Sequence, residues 1–392
     1  MKVYLDNAAT TRVSDNVLQA MLPYYTDVYG NASSQHTEGQ NAAKAIELAR
    51  MKVAAAIGAS PSEICFVSGG TEADNQALKG IAWANIARGK HIVTSVIEHP
   101  AIINSCKQLE KRGFEVTYIG VDQDGIIDMD ALKAAVRNDT ILISVMAANN
   151  EVGTLQPIDE IGKFAREHKI YFHTDAVQAI GAVPIDVKAM NIDLLSMSAH
   201  KFNGPKGIGV LYIRNGVRID RFMTGGEQER NMRAGTTNTP AIVGMGVAIE
   251  EAVKRLTDNA AMAKLRDYMK DRIVAEIPYI KVNGSLTKRL PNNLNISFRY
   301  VEGESILLSL DLDGISASSG SACSSGSLEP SHVLLAMGLS PELAHGSIRF
   351  TLSKDTTKAE IDYTVDCLKT IMEKLRYMSP LFVPDKKGAI NV

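Results

Sequence analysis

Cysteine is scarce and scattered: Cys65, Cys106, Cys323 and Cys367 are the four in 392 residues. No two form a Cys-x-x-Cys pair, which speaks against a disulfide framework and a self-contained zinc site, so each thiol has to be judged alone. A charge excess is also missing. The 42 basic and 44 acidic residues leave a formal charge of -2, and no global field recruits nucleic acid or an anionic membrane surface. Long apolar runs are absent; a run such as 208–213 is far too short to span a bilayer. The opening Met1-Lys2-Val3-Tyr4-Leu5-Asp6-Asn7 has no apolar core of signal-peptide type, so the expected location is cytoplasmic. No internal repeat is visible, and no Gly-Lys-Ser/Thr follows a glycine turn, which disfavours nucleoside triphosphates. What remains, with 45% hydrophobic residues, is a chain able to bury a sizeable core and suited to a small-molecule substrate.

From about residue 62 to 213, short β-branched runs alternate with amphipathic stretches, the pattern of α/β units around a mostly parallel sheet. The segments 63–67, 91–97, 115–121, 140–146, 170–174, 192–197 and 207–213 predict strands, and 157–168 a helix with proline in its first turn. Two helices are expected over 241–256 and 260–277, after which the alternation resets around 293–298 and 347–352. The expected division is a large domain over 16–256 and a smaller α+β domain made of 1–15 and 257–392. Within the latter, 316–331 is dominated by Ser, Gly and Ala, and no packed element is expected there.

Polar groups gather just past the predicted strands, where open α/β sheets bind ligands. In Ser196-Met197-Ser198-Ala199-His200-Lys201, a partly desolvated Lys201 has its ammonium form disfavoured, and the neutral amine can condense with an aldehyde to a Schiff base. A plain surface lysine is the alternative. Asp175, in His173-Thr174-Asp175-Ala176-Val177-Gln178, suits the acidic partner that keeps a pyridine nitrogen protonated, or else a helix cap. Gln178, three residues on, can donate to a ring oxygen. Ser68-Gly69-Gly70-Thr71-Glu72 links a strand to a helical pattern over 71–88, as an anion site at a helix N-terminus does, or a plain tight turn. His99, before Pro100, can stack on a ring and shuttle protons, or only hydrogen-bond locally. Asn149-Asn150-Glu151 offers amides to the same cleft.

Two further residues stand out. Cys323 lies in Gly320-Ser321-Ala322-Cys323-Ser324-Ser325-Gly326, a small, polar stretch expected to be a mobile loop, which suits a nucleophile that must visit two places, the alternatives being a buried core thiol or an incidental exposed one; Cys65 and Cys367 fall in core patterns. Arg349 alternates with Ile348 and Phe350 in a predicted strand, which sends its guanidinium to the opposite face, where the fork matches an amino-acid carboxylate or simply solvent.

Leu5-Asp6-Asn7-Ala8-Ala9-Thr10-Thr11, Gly70-Thr71-Glu72, Glu98-His99-Pro100, Asn149-Asn150-Glu151, His173-Thr174-Asp175-Ala176-Val177-Gln178, Ala199-His200-Lys201, Arg233-Ala234-Gly235-Thr236, the cysteine loop and Ser347-Ile348-Arg349-Phe350 occur in order along nearly the whole chain. The ordered set resembles the pyridoxal-phosphate-dependent cysteine desulfurases of the NifS/IscS type, in the class V aminotransferase group. The resemblance implies a homodimer of fold-type-I subunits, a large mostly parallel-sheet domain with a smaller α+β domain, and pyridoxal 5'-phosphate as cofactor. Lys201 would hold the cofactor covalently, Asp175 its pyridine nitrogen, and His99 would stack on the ring as an acid/base. Gly70, Thr71, Ser198 and His200 would bind phosphate, and Thr236 would reach the cofactor of the other subunit. Gln178 and Asn150 would hold the ring oxygen and substrate, and Arg349 the substrate carboxylate.

By the same resemblance, L-cysteine loses its α-proton, its sulfur passes to the Cys323 thiolate as a persulfide, and alanine leaves. The extended cysteine loop favours an iron–sulfur scaffold protein as acceptor; no intrinsic metal site is implied, only transient ligation of a cluster through Cys323 during transfer. A class V aminotransferase or a selenocysteine lyase would share Lys201 and Asp175 without needing the mobile thiol; a non-catalytic assembly scaffold that keeps the cofactor without turnover is a further alternative, against which the presence of Lys201, Asp175, His99 and Cys323 together speaks. Ala147 departs from the tryptophan of many relatives, and 380–392 matches no assignable pattern.

Overall fold

The seven predicted strands of the first half all form, and they make one sheet. After β1 (Val3–Tyr4) they are β2 (Ile64–Val67), β3 (His91–Ser95), β4 (Glu115–Ile119), β5 (Thr140–Ser144), β6 (Tyr171–Asp175), β7 (Leu194–Ser198) and β8 (Gly209–Ile213). The structure, a computed structural model, describes residues 1–319 and 329–382. The spatial order is β2-β8-β7-β6-β5-β3-β4. Neighbours from β4 to β7 pair in parallel, while β8 pairs antiparallel with both β7 and β2. The ends of β2, β3, β5, β6 and β7 therefore open on one edge.

Adjacent residues explain why these strands read as unbroken apolar runs. Val93, Ile143 and Leu195 join one hydrophobic cluster, whereas Ile92, Leu142 and Leu194 join another, so helices cover both faces of the sheet. The helix Gly70–Ala84 supplies Ala73, Ala77 and Leu78 to the second cluster, and the helix Thr239–Lys254 supplies Ile242, Met245 and Ile249 to the first. β3 and β5 stop two residues short of the predicted ends. There the Glu98 carboxylate accepts the Ser95 hydroxyl at 2.6 Å and the Met146 N–H at 3.0 Å, which ties two loops together in place of ladder bonds.

A second sheet carries β9 (Ile280–Asn283), β10 (Asn293–Phe298), β12 (Ser318–Ser319) and β13 (Ser347–Thr351) in the order β12-β13-β10-β9, all antiparallel; β11 (Ile315–Ser316) pairs with β1 instead. The helices Asn259–Glu276 and Lys358–Met378 cover it, and Ile273, Leu294, Ile296, Ile348, Phe350 and Leu368 form its core. Val3 and Leu5 belong to the same core, so the first residues pack against this sheet. The expectation that nothing packs over 316–331 needs correction at its start. Ser318 and Ser319 pair with Arg349 and Ile348, because a ladder uses backbone groups and small polar side chains do not prevent it. Residues 320–328, Cys323 among them, and 383–392 lie outside the described residues.

Candidate active site

Five strand ends deliver side chains to a single cavity of about 320 Å³. Gly70 and Thr71 come after β2, His99 after β3, Asn150 after β5, Asp175 from the end of β6, and Ser198, His200 and Lys201 from β7 and the turn beyond it. Gln178 and, from β13, Arg349 complete the predicted set on the wall. Thr236 is exposed and does not line the cavity.

Lys201 ends the short 3-10 turn Ala199–Lys201, and its Nζ donates to the Ala8 carbonyl at 2.6 Å and the Ala9 carbonyl at 2.9 Å. Gln178 Nε2 also donates to Ala8 O, at 3.0 Å. The amino-terminal segment thus forms part of the wall, and Ala8 N–H is fixed in turn by Thr351 Oγ1 at 2.8 Å. Sequence reasoning assigned Ala8 and Ala9 to a motif but gave them no place in the site.

Asp175 is 6% exposed, and its Oδ1 accepts the Val177 N–H at 2.9 Å. Burial raises its pKa above the usual carboxylate value, while His99, the Val177 N–H and Lys201 act to lower it. Behind it, His173 is fully buried, with Nδ1 2.9 Å from Ser144 Oγ and Nε2 3.0 Å from Ser196 Oγ, and burial pushes its pKa down to about 3. Asp74 lies on the same side, 1% exposed, and burial together with the charges of Asp175 and Glu98 raises its pKa well above the ordinary value. Asp175 alone of these three carboxyls has His99 and Lys201 among the groups that favour its charge.

His99 caps the helix Pro100–Glu110: its Nδ1 accepts the Ala101 N–H at 3.1 Å. A neutral ring accepting at Nδ1 carries its proton on Nε2. Burial lowers the His99 pKa, Lys201 and His332 lower it further, and Asp175 opposes them. His200 is also held neutral, pushed down to about 4 chiefly by burial, and its Nδ1 lies 3.1 Å from Thr10 Oγ1.

The glycine turn is built for close approach. A Cβ on Gly70 would come within 2.7 Å of Val177 Cγ2, and Gly69 at the N-cap leaves the helix start without a side-chain cap. Arg349 lies on the face of β13 opposite Ile348 and Phe350, as strand alternation requires, and it is 1% exposed rather than a surface residue. Its Nη1 donates to Asn150 O at 2.9 Å and its Nη2 to Asp6 Oδ1 at 2.8 Å.

Cys65 and Cys106 are buried, and burial pushes both thiols well above their ordinary pKa. Cys367 is half-buried rather than fully in the core. No group of three or more potential metal ligands occurs among the described residues, and no helix there is long and apolar enough to cross a membrane.

A sequence model of the aminotransferase class-V family matches residues 3–364. The chain belongs to that family. Among class-V relatives, the cysteine desulfurase IscS of Methanosarcina thermophila is 56% identical over 380 residues, 97% of this chain and 94% of its own. A cysteine desulfurase of a Nostoc species is 51% identical over 98% of this chain and 96% of its own. Among solved structures, a NifS-like protein superposes with a TM-score of 0.91 at 41% identity, covering 96% of this chain and all of its own. SspA in complex with cysteine gives a TM-score of 0.80 at 39% identity, covering 90% of this chain and 99% of its own. The likeness fixes the fold as that of the class-V enzymes, with the mostly parallel sheet expected of fold type I. Cysteine desulfurases of this family use pyridoxal phosphate. The residues fit that group: an uncapped glycine turn at a helix start, a buried carboxylate and a lysine share one cavity.

Proposed function

We propose that this chain is a pyridoxal-phosphate-dependent cysteine desulfurase that converts L-cysteine to L-alanine and passes the sulfur to Cys323 as a persulfide. The observation that carries this reading is the meeting of Lys201, Asp175, His99 and Arg349 in one cavity, in a chain 56% identical to a cysteine desulfurase. Lys201 would hold the cofactor covalently. Asp175 would hold the ring nitrogen, Gly70, Thr71, Ser198 and His200 would hold the phosphate, and Gln178 and Asn150 would hold the ring oxygen and substrate. The bound cofactor supplies an electron sink for the α-carbon of cysteine. Arg349 would place the substrate carboxylate, and Lys201 and His99 Nε2 would take and return the proton at the substrate α-carbon. The Cys323 thiolate would then attack the substrate sulfur: a sulfur–sulfur bond forms, the carbon–sulfur bond breaks with its electron pair going to the β-carbon, and that carbon takes a proton so that alanine leaves.

The division into a large domain over 16–256 and a small one of 1–15 and 257–392 is part of this reading, supported by the separate cores of the two sheets. So are a cytoplasmic homodimer in which Thr236 serves the partner subunit's site, and delivery of sulfur to an iron–sulfur scaffold protein. The test is alanine release: cofactor-loaded protein supplied with L-cysteine should form alanine, and Lys201→Ala should not. A loaded wild type that forms no alanine would return the chain to the aminotransferase or the non-catalytic scaffold reading, and transfer of the substrate's amino group to an oxo acid would select the aminotransferase.

A further inference from the structure

Glu229, Arg230 and Asn231 follow one another with left-handed backbone, at φ of 49, 56 and 66°. Asparagine accepts that conformation, but for glutamate and arginine the Cβ crowds the next carbonyl, so successive left-handed residues occur only where other contacts enforce them. The enforcing contacts are present. The Glu229 carboxylate is 6% exposed and accepts from Arg50 Nη1 at 2.7 Å, Arg50 Nη2 at 2.8 Å and the backbone N–H of Phe66 at 2.8 Å. Arg50 is itself 4% exposed. Phe66 belongs to β2, two residues before the glycine turn begins at Ser68.

The far end of the run is tied to the same turn. Arg233 Nε donates to Glu72 Oε1 at 2.9 Å, and Glu72 Oε2 accepts the Ser68 N–H at 2.8 Å. Between these ends, Met232 N–H donates to Glu229 O at 3.0 Å and Gln76 Nε2 to Met232 O at 3.2 Å. Arg50, Glu72, Glu229 and Arg233 stand outside the cavity wall, yet together they grip the strand, turn and helix start that present Gly70 and Thr71.

We infer that Glu229 is a positioning residue for the phosphate end of the site: it clamps the left-handed run 229–231 against Arg50 and Phe66 and so, through Arg233 and Glu72, sets the turn 68–71. This rests on the reading of the cavity as a pyridoxal phosphate site. Because the clamp grips the strand, turn and helix start that carry Gly70 and Thr71, its loss should weaken binding of the phosphate and leave the ring's contacts in place.

The experiment compares binding of pyridoxal phosphate and of pyridoxal, which lacks the phosphate, to apoprotein, read by absorbance and fluorescence. In wild type the phosphorylated form should bind more tightly; no preference would overturn the cofactor reading and the inference together. Glu229→Gln should weaken pyridoxal phosphate about tenfold, the size of a lost charged hydrogen bond, and pyridoxal within about twofold. Adding Arg230→Gly should restore most of that loss, since glycine takes the left-handed conformation without the clash. Wild-type preference retained in Glu229→Gln, or a loss that glycine leaves untouched, overturns the inference while the cofactor reading stands. Should Glu229→Gln fail to fold, Arg233→Gln breaks the same path at its more exposed end. It must show the same phosphate-selective loss, and an unchanged preference overturns the inference.

Discussion

Arg349 and Asp6 form an ion pair of 2.8 Å between β13 and the amino-terminal segment, with Arg349 at 1% exposure. The remaining guanidinium nitrogen, Nε, is buried and has no hydrogen-bond partner among the described residues. A buried guanidinium with a donor to spare, on the wall of a cavity, suits a carboxylate ligand.

Arg349→Lys keeps the charge but replaces the fork by a single ammonium, which cannot serve Asp6, Asn150 O and a substrate carboxylate together. The expected outcome is a KM for L-cysteine raised about tenfold or more, with a smaller fall in kcat. Steady-state alanine formation measures both, and an unchanged KM would remove Arg349 from substrate binding.

The His99 pKa lies below the ordinary imidazole value because of burial and the charges of Lys201 and His332. Protonation would also put a hydrogen on Nδ1, where the ring now accepts the Ala101 N–H. Neutral His99 is therefore the working form through neutral pH. Activity should fall only on the acid side of about pH 6.5. A pH profile of kcat/KM checks this, and His99→Gln should abolish that acid limb along with most of the activity.

Much of this arrangement is legible in the sequence, for reasons that particular residues show. Strand alternation turned Arg349 away from Ile348 and Phe350, and the apolar runs before His99, Asp175 and Lys201 located the sheet edge on which all three sit. Asp74 escaped notice, although a signal existed: it falls one helical turn after Gly70, among Ala73, Ala77 and Leu78, where a lone carboxylate on a buried face asks for a role. The left-handed run at 229–231 could not be read at all, because only packing against Arg50 and Phe66 makes Glu and Arg adopt it. Thr236, expected to serve the site of another subunit, is exposed in the single chain.

Glu98 gives a stability test. Burial raises its pKa from 4.5 to about 8, with Asp175 adding to the rise against bonds from Ser95 and the Met146 N–H. The folded state thus holds this proton more tightly than the unfolded chain. The contribution is complete below about pH 4.5 and is lost as pH rises toward about 8. Glu98→Gln mimics the protonated form and keeps an oxygen for both donors. Relative to wild type, its thermal midpoint should improve as pH is raised from about 5 to about 8. A pH-independent difference would show that Glu98 is ionised in the fold.

The central claim is that sulfur leaves cysteine through Cys323, and the most direct measurement is alanine and protein-bound persulfide formed from L-cysteine, with Cys323→Ser run beside the wild type. Wild type should form both in matched initial amounts, and the variant, still loaded with cofactor, should form neither. Alanine and free sulfide released by Cys323→Ser at the wild-type rate would contradict the account.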